Sequence, residues 1–388
     1  MLDRDLYLVG GGVRDLALRR PLHDLDLASS GEIRPLVDAI VQRLPAHTAV
    51  EVADRFGTAS IRLPGRDGAE AARLDLARLR TERYVAPGAL PDVRATDSIE
   101  ADLARRDFSV NAVALGLAGS RAGEVVDPCG GLDDLAARRL RVLHDRSFED
   151  DATRLWRGAR TAALFRLAPD AATARLIEGG TRWLETVSGD RLWAEFDFTA
   201  RRGRAGATFA LLDRWGVLRG IEPHWTLPEA SAAALRRRTR PLDAARLAAV
   251  VLAPLPRRAA VMERLNAPRE ARLTVEDAAR LLDAGRQGAR SDTSMLATLE
   301  GARDEARVAA RWLDPDGQRT LQAALRRWER TRPHLDAAAL LDLGVPRGPE
   351  LGRTQGGLRR ARYLGTLGGA VAARREVRRR LDSGEGWA

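Results

Sequence analysis

The spacing of apolar residues changes period near residue 147, and that change constrains the fold more than any other feature of the chain. Ahead of it, short apolar runs of strand type alternate with stretches of helical spacing. Residues 6–9 form an apolar run that ends in Gly10-Gly11-Gly12, and residues 13–20 carry helical spacing that Pro21 stops. Residues 24–28 alternate like a strand, residues 34–44 return to helical spacing, and 50–52, 58–63 and 73–79 are further strands. Beyond residue 147 strand signals nearly vanish. Residues 151–167, 191–201 and 207–215 have helical periodicity and are rich in Ala, Leu and Arg. All eight tryptophans lie in this second part, where packing between helices is their expected role. The pattern predicts an α+β head built on a mixed sheet, followed by an all-helical remainder.

Composition then narrows the class. A chain of 388 residues is long enough for about two to four structural units. Cys129 is the only cysteine, which excludes an intrachain disulfide and a cysteine-based zinc site, and five scattered histidines do not make a histidine-rich metal site. No apolar run is long enough to span a bilayer, and Met1-Leu2-Asp3-Arg4-Asp5 has acids where a secretory signal has its basic region. A cytoplasmic protein without membrane association is expected. The formal charge is +10, and all 64 basic residues are arginines. A GC-rich genome accounts for the missing lysine, but the positive excess itself favours a polyanionic partner. Residues 383–388, rich in Gly, Ser and Glu, are expected to fray.

Two features of the head carry chemistry. The run Tyr7-Leu-Val-Gly-Gly-Gly-Val-Arg-Asp15 reads as strand, glycine turn and helix start. Glycines such as Gly11 let backbone N–H groups approach an anion at a helix N-terminus, and Arg14 adds a forked donor for phosphate. Next comes His23-Asp24-Leu25-Asp26-Leu27. Residues two apart on a strand share a face, so Asp24 and Asp26 project together, an unfavourable arrangement unless a cation sits between them. Mg²⁺ takes carboxylate and phosphate oxygens, so the pair suits Mg²⁺ held against a triphosphate. Separately, each feature is also what an ordinary tight turn or a solvated acidic turn looks like; coupled at this spacing they point to one site.

Gly10, Gly11, Val13, Arg14 and Asp15, followed by Asp24 and Asp26, resemble the first motif of the class II tRNA nucleotidyltransferase/poly(A) polymerase family. The resemblance implies a head of the DNA polymerase beta-like kind at residues 1–145, a base-recognising helical neck at 146–205, a helical body at 206–330 and a basic, tRNA-binding tail at 331–388. It also implies catalytic aspartates at Asp24 and Asp26, both binding metal, with Asp75 in Leu74-Asp75-Leu76 as the third carboxylate on a neighbouring strand. Two-metal chemistry needs such a clamp on attacking and leaving oxygens. The run Arg105-Arg106-Asp107-Phe108-Ser-Val-Asn111 is similar to the family's next motif, which assigns Arg106 to the phosphates or sugar and gives Asp107 and Asn111 supporting roles. Asp127-Pro128-Cys129-Gly130-Gly131-Leu132 matches a structural turn of the family.

The run from Glu149 to Arg160 is similar to the family's base-reading segment and contributes Asp151, Arg154, Arg157 and Arg160. Asp151 and Arg154, three apart on a helix, are expected to be neighbours. A carboxylate accepts from an exocyclic amine and an arginine donates to a ring nitrogen or carbonyl, so the pair can imitate a complementary base and select C and A. Arg157 and Arg160 are expected to meet phosphate or to pack against the head. Asp190, Arg191 and Glu195 match a neck element that supports the base-reading helix, and residues 80–96 fall where the family has its specificity loop. Leu343 through Gly352, followed by Arg359, Arg360, Arg362, Arg374, Arg375, Arg378, Arg379 and Arg380, resembles the family's tail and suits salt-dependent contact with RNA phosphates. The implied activity is transfer of nucleotides from CTP and ATP to the tRNA 3′ end, adding CCA, CC or A. A poly(A) polymerase is the alternative, and a catalytically silent RNA-binding protein a more distant one. Oligomeric state stays open.

Overall fold

The computed structural model describes residues 4–22, 24–44, 48–53, 57–64, 70–287, 292–314 and 319–387. The chain divides into two compact units, Met1–Thr199 with Arg204–Thr226, and Ala200–Gly203 with Leu227–Ala388.

The first unit begins with a seven-stranded mixed sheet. Its strands are β1 (Leu6–Val9), β2 (Asp24–Ser29), β3 (Ala49–Ala53), β4 (Thr58–Pro64) and β5 (Glu70–Arg78), then β8 (Ala114–Ala118) and β9 (Val125–Val126) beyond the hairpin β6 (Arg80–Arg83) and β7 (Asp92–Ala95). The order is β3-β4-β5-β2-β1-β8-β9, with β2 and β5 parallel and the other pairs antiparallel. Helices α1 (Gly11–Ala17), α2 (Arg34–Val41), α3 (Ile99–Ala104) and α4 (Gly131–Ala136) accompany it. Alternate residues of β1 serve opposite faces: Leu8 packs with Leu27, Ile61, Leu76 and Val37, while Tyr7 and Val9 pack with Ala28, Ile99 and Leu103. That two-sided burial is why β1 reads as an unbroken apolar run.

The mixed sheet and the expected strands are present, within a few residues of their expected ends. Helix α1 departs from expectation by starting two residues earlier, at Gly11, and by ending before Arg19, which adopts a left-handed conformation with φ 54°. Residues 80–96 are largely ordered as the β6–β7 hairpin.

Beyond the sheet, the first unit is helical: α5 (Ser147–Asp150), α6 (Thr153–Phe165), α7 (Ala171–Gly180), α8 (Gly189–Arg202, its last turn in the second unit), α9 (Ala205–Arg214) and α10 (Val217–Ile221). A short parallel pairing of Arg139–Leu140 with Ala168–Pro169 adds the one strand segment described after residue 147. Trp156, Phe196, Phe209 and Trp225 form a buried aromatic core with ring centroids 5.5–6.4 Å apart, as expected for the tryptophans. Trp156 Nε1 donates to Thr199 Oγ1 at 2.9 Å, so its polar edge is satisfied inside that core.

The helix expected over residues 151–167 starts later, at Thr153, and ends at Phe165. Asp151 is extended (φ −145°, ψ 98°) and separates α5 from α6. Its carboxylate accepts from the Thr153 N–H at 3.0 Å, satisfying a donor that a starting helix leaves open.

In the second unit the described helices include Ala244–Leu252, Arg269–Arg286 and Asp304–Leu313, packed around Leu247, Val250, Val251, Leu281 and Ala309, and end with Pro349–Leu364 and Ala370–Ser383. The C-terminal residues are better anchored than the sequence suggests. Trp387 lies flat on Gly357, where a Cβ would come within 2.0 Å of its ring, and Arg380 caps its face at 4.2 Å. The tail arginines divide by role. Arg359 donates to the Thr331 and Trp328 carbonyls and stacks 3.6 Å over Trp328, so it is spent on packing. Arg374, Arg375 and Arg378 are exposed on Ala370–Ser383, and their guanidinium groups make no ion pair or hydrogen bond among the described residues. Among the described residues no helix is long and apolar enough to cross a membrane.

Candidate active site

Strand β2 carries Asp24 and Asp26 on the sheet face opposite α1 and α2, because Leu25 and Leu27 take the other side into the core. The parallel register sets Asp26 beside Asp75 and Asp24 beside Arg73, so the three predicted aspartates share a face. They do not converge into one three-ligand cluster: among the described residues no three carboxylate, imidazole or thiolate side chains are placed to hold one ion. Asp75 accepts from Arg73 Nε at 2.9 Å, and the same nitrogen lies 3.0 Å from Ser60 Oγ. Asp24 and Asp26, two carboxylates from one strand, are a donor pair of the kind a hard dication takes, with Asp24 half-buried and Asp26 exposed.

The glycine turn lies at the end of the neighbouring strand β1. Gly10 has φ 65°, a left-handed value that glycine adopts without strain, and a Cβ there would come within 2.8 Å of Arg106 Nη1. Arg106 is thus drawn over the turn, held by Asp102 Oδ2 at 2.9 Å, with its Nε buried and without a partner among the described residues. A buried guanidinium N–H without an acceptor beside a glycine turn suits an anionic oxygen. Asp102 also accepts from Arg105 at 2.7 Å. Burial works against its charge, but Arg106 and Arg105 outweigh that and hold its carboxyl below the usual range.

Arg14 does not point out as a phosphate donor. It donates to Asn111 Oδ1 and, at 3.1 Å, to Asp15, and it lies 3.9 Å from the Phe165 ring centroid. From Asn111 a chain of bonds runs to the helices. Asn111 Nδ2 donates to Asp107 Oδ1 at 3.0 Å, and Arg157 donates to Asp107 Oδ2 through Nε at 2.9 Å and Nη2 at 2.7 Å. Arg160, itself buried, donates to Glu195 of α8. Burial pushes the Asp107 carboxyl up, but the Arg157 charge and the Asn111 and Arg157 hydrogen bonds reverse this and hold it well below the carboxylate range. Arg157 therefore joins the head to the helices, while Arg160, a turn further along α6, ties α6 to α8.

Asp151 and Arg154 lie at one place but do not pair with each other. Asp151 Oδ1 accepts from Thr153 N and Oγ1 and, at 2.7 Å, from Arg191 Nη2. Arg154, buried, donates to Ser147 Oγ at 2.9 Å and to the Arg105 carbonyl at 3.0 Å. The Tyr84 ring lies 5.9 Å from the Arg154 guanidinium. Its hydroxyl donates to Glu82 at 3.1 Å, and burial followed by the Glu82 charge raises its pKa to about 12. Glu82 in turn takes Arg105 Nη1 at 2.6 Å. Sequence reasoning missed Asp102, Glu82 and Tyr84 as site residues. Asp102 was findable, three and four positions ahead of Arg105 and Arg106 on a helical stretch; Glu82 and Tyr84 carry no local signal.

Residues 6–141 match the poly(A) polymerase head domain. Over 263 residues the chain is 36% identical to the CC-adding tRNA nucleotidyltransferase of Deinococcus radiodurans, a match covering 68% of this chain and 67% of that protein. The chain belongs to the tRNA nucleotidyltransferase/poly(A) polymerase family. Within the family it is also 36% identical over 243 residues to the A-adding tRNA nucleotidyltransferase of Halalkalibacterium halodurans, spanning 61% of this chain and about half, 54%, of that relative. Among solved structures, an apo CCA-adding enzyme superposes with a TM-score of 0.72 at 23% identity, covering 98% of this chain and 92% of the other. A Thermotoga maritima CCA-adding enzyme complexed with tRNA superposes at 0.67 with 22% identity, covering the same shares. At such identities the likeness speaks for the fold, and the family's mixed-sheet head with a helical remainder is the fold described above.

Proposed function

We propose that this protein adds nucleotides from CTP and ATP to the 3′ end of tRNA in the cytoplasm, building CCA or part of it without a nucleic-acid template. The observation that carries the reading is the Asp24–Asp26 pair on one face of β2, next to a glycine turn over which Arg106 is drawn. Asp24 and Asp26 would hold Mg²⁺, with Asp75 beside them; a bound ion of this kind neutralises the triphosphate and acidifies the attacking hydroxyl. Arg106 and the backbone at Gly11 grip the triphosphate. In-line displacement joins the RNA 3′ oxygen to the α-phosphorus and expels pyrophosphate.

Base choice falls to Asp151, which accepts the exocyclic amine of C or A, and to Arg154, which must exchange its Ser147 or Arg105 bond for the base. Arg14, Arg157 and Arg160 act one step back, by fixing Asn111, Asp107 and Glu195. In this reading residues 1–145 are the catalytic head, 146–205 the neck, 206–330 the body and 331–388 the tail. Arg374, Arg375 and Arg378 meet RNA phosphates. The test is incubation of tRNAs ending before CCA, after C and after CC with single labelled nucleotides and Mg²⁺, beside an unrelated RNA. Incorporation of C or A confined to tRNA is expected. Efficient tailing of the unrelated RNA with ATP alone would mark a poly(A) polymerase instead, and no incorporation into any of these RNAs refutes the reading.

A further inference from the structure

Arg154 faces a third acceptor beside Ser147 and the Arg105 carbonyl. Its Nη1 lies 3.4 Å from Nε2 of His144. His144 stands in the short loop between Arg139–Leu140 and α5, and backbone donors hold that loop at both ends. The Val142 N–H donates to Thr173 Oγ1 at 3.1 Å, and the Ser147 N–H donates to the His144 carbonyl at 3.1 Å. The ring therefore has a set place against a buried guanidinium.

The contact fixes the state of the ring. A guanidinium has donors only, so an imidazole nitrogen that meets one must offer a lone pair, which requires a neutral ring with its proton on Nδ1. The charged groups acting on the ring are Asp145 and Arg146 of the same loop, Asp150 of α5 and Arg154 of α6. Asp150 Oδ2 is 3.9 Å from Nε2, too far for a hydrogen bond that would keep a proton there. Burial, then the Arg154 charge, disfavours the imidazolium and lowers the pKa of His144 below the ordinary 6.5. The side chain is nonetheless 38% exposed, so protons reach it from solvent. Once protonated, the ring has no lone pair for Arg154 and sets a second positive charge against it.

We propose that His144 is a specificity-determining positioning residue: neutral, it aims Arg154 at the incoming base, and on protonation it releases Arg154, so that the choice among nucleotides depends on pH. This rests on the proposed function, in which Asp151 and Arg154 read the base. When the base displaces Ser147 or the Arg105 carbonyl, His144 is an acceptor that stays behind the guanidinium. A serine hydroxyl and a backbone carbonyl do not titrate near neutrality, and the imidazole does.

The experiment compares the parent enzyme with His144→Gln, His144→Ala and Asp151→Asn on a tRNA primer, from about pH 5.5 to about pH 8, the range in which histidine titrates. It reads competing incorporation of the amine-bearing CTP and ATP against the carbonyl-bearing UTP and GTP. In that ratio, effects of pH on metal binding and on attack by the 3′ hydroxyl cancel. The parent's amine preference is expected to hold above pH 6.5 and to fall by about tenfold below it, the scale for losing one hydrogen bond from a charged donor. In His144→Gln, whose amide oxygen accepts where Nε2 does without titrating, the preference should keep the parent's neutral value throughout. His144→Ala should give a lower value that does not change with pH, while melting temperatures at both ends of the range confirm that each variant is folded. Independently of activity, nitrogen NMR of labelled histidine, with His144→Gln assigning one signal among five, should show the Nδ1–H tautomer at neutral pH. An Nε2–H ring, a parent preference flat in pH, or a fall that persists in His144→Gln overturns the role given to His144; loss of the preference in Asp151→Asn then leaves the base-reading assignment standing. If Asp151→Asn itself keeps the preference, both fall.

Discussion

Replacing Asp107 by asparagine preserves the shape of the side chain and removes its charge, which probes the bond chain from the glycine turn to the neck. Asp107 accepts four hydrogen bonds, from Phe108 N, Asn111 Nδ2 and two nitrogens of Arg157, and is 6% exposed. An amide offers one acceptor oxygen and one donor nitrogen, so in either orientation two N–H groups face an NH₂ group. Removing one partner of a fully buried charge pair costs about 3–5 kcal/mol. The Arg157 side chain is 44% exposed, so water can take over part of its solvation, and the expected cost falls to about 2–3 kcal/mol. For a unit of about 220 residues, that corresponds to a melting point lower by about 5–10 °C. Thermal unfolding followed by the fluorescence of the buried tryptophans measures it, with Asp92→Asn, at an exposed pair with Arg94, as the control. A melting point unchanged to within a degree would refute the reasoning, because it would mean the four bonds are replaced at no cost.

The same carboxyl predicts an acid dependence. Asp107 and Asp102 are both held below their unfolded values, so their contribution to stability is complete above about pH 4 and is lost as pH falls through the folded values. Urea midpoints should therefore drop more steeply below pH 4 for the parent than for Asp107→Asn, and parallel curves would argue against it. Gly10→Ala should raise KM for nucleotides by about tenfold or more, since the added methyl displaces Arg106 from the turn, and should lower the melting point by a few degrees because alanine is strained at φ 65°; an unaltered KM would remove Arg106 from the binding site. Asp24→Asn should reduce incorporation to roughly a hundredth or less while tRNA binding in a filter assay persists, and near-normal turnover would sink the metal assignment.

The parts of this architecture that were legible from the chain are those set by near neighbours. The β1–glycine–α1 passage and the shared face of Asp24 and Asp26 depend on spacings of two to four residues, and the structure has both. That Asp26 stands beside Asp75 depends on a parallel pairing across almost fifty residues, which no local pattern encodes. Helical periodicity misled the reading of Asp151, because spacing of apolar residues does not register a two-residue break. The capping chemistry did announce it, since an aspartate two places ahead of a threonine at the head of a helical stretch is a helix-start signal. Arg14 and Arg359 show a different difficulty. In a chain whose cations are all arginine, sequence alone does not separate those spent on internal acceptors and ring faces from those facing solvent.

Strand β2 is the fourth of seven, bonded on both flanks. Its two aspartates lie on the β5 ladder, and Leu27–Ser29 just after them are bonded on both flanks, so the pair can shift only by breaking backbone bonds of the sheet. The residues around Asp151, by contrast, are fastened by side-chain contacts and a hairpin turn that can be rearranged one bond at a time. On the proposed function, such a chain can drift in which letter it writes while the hand that writes stays still.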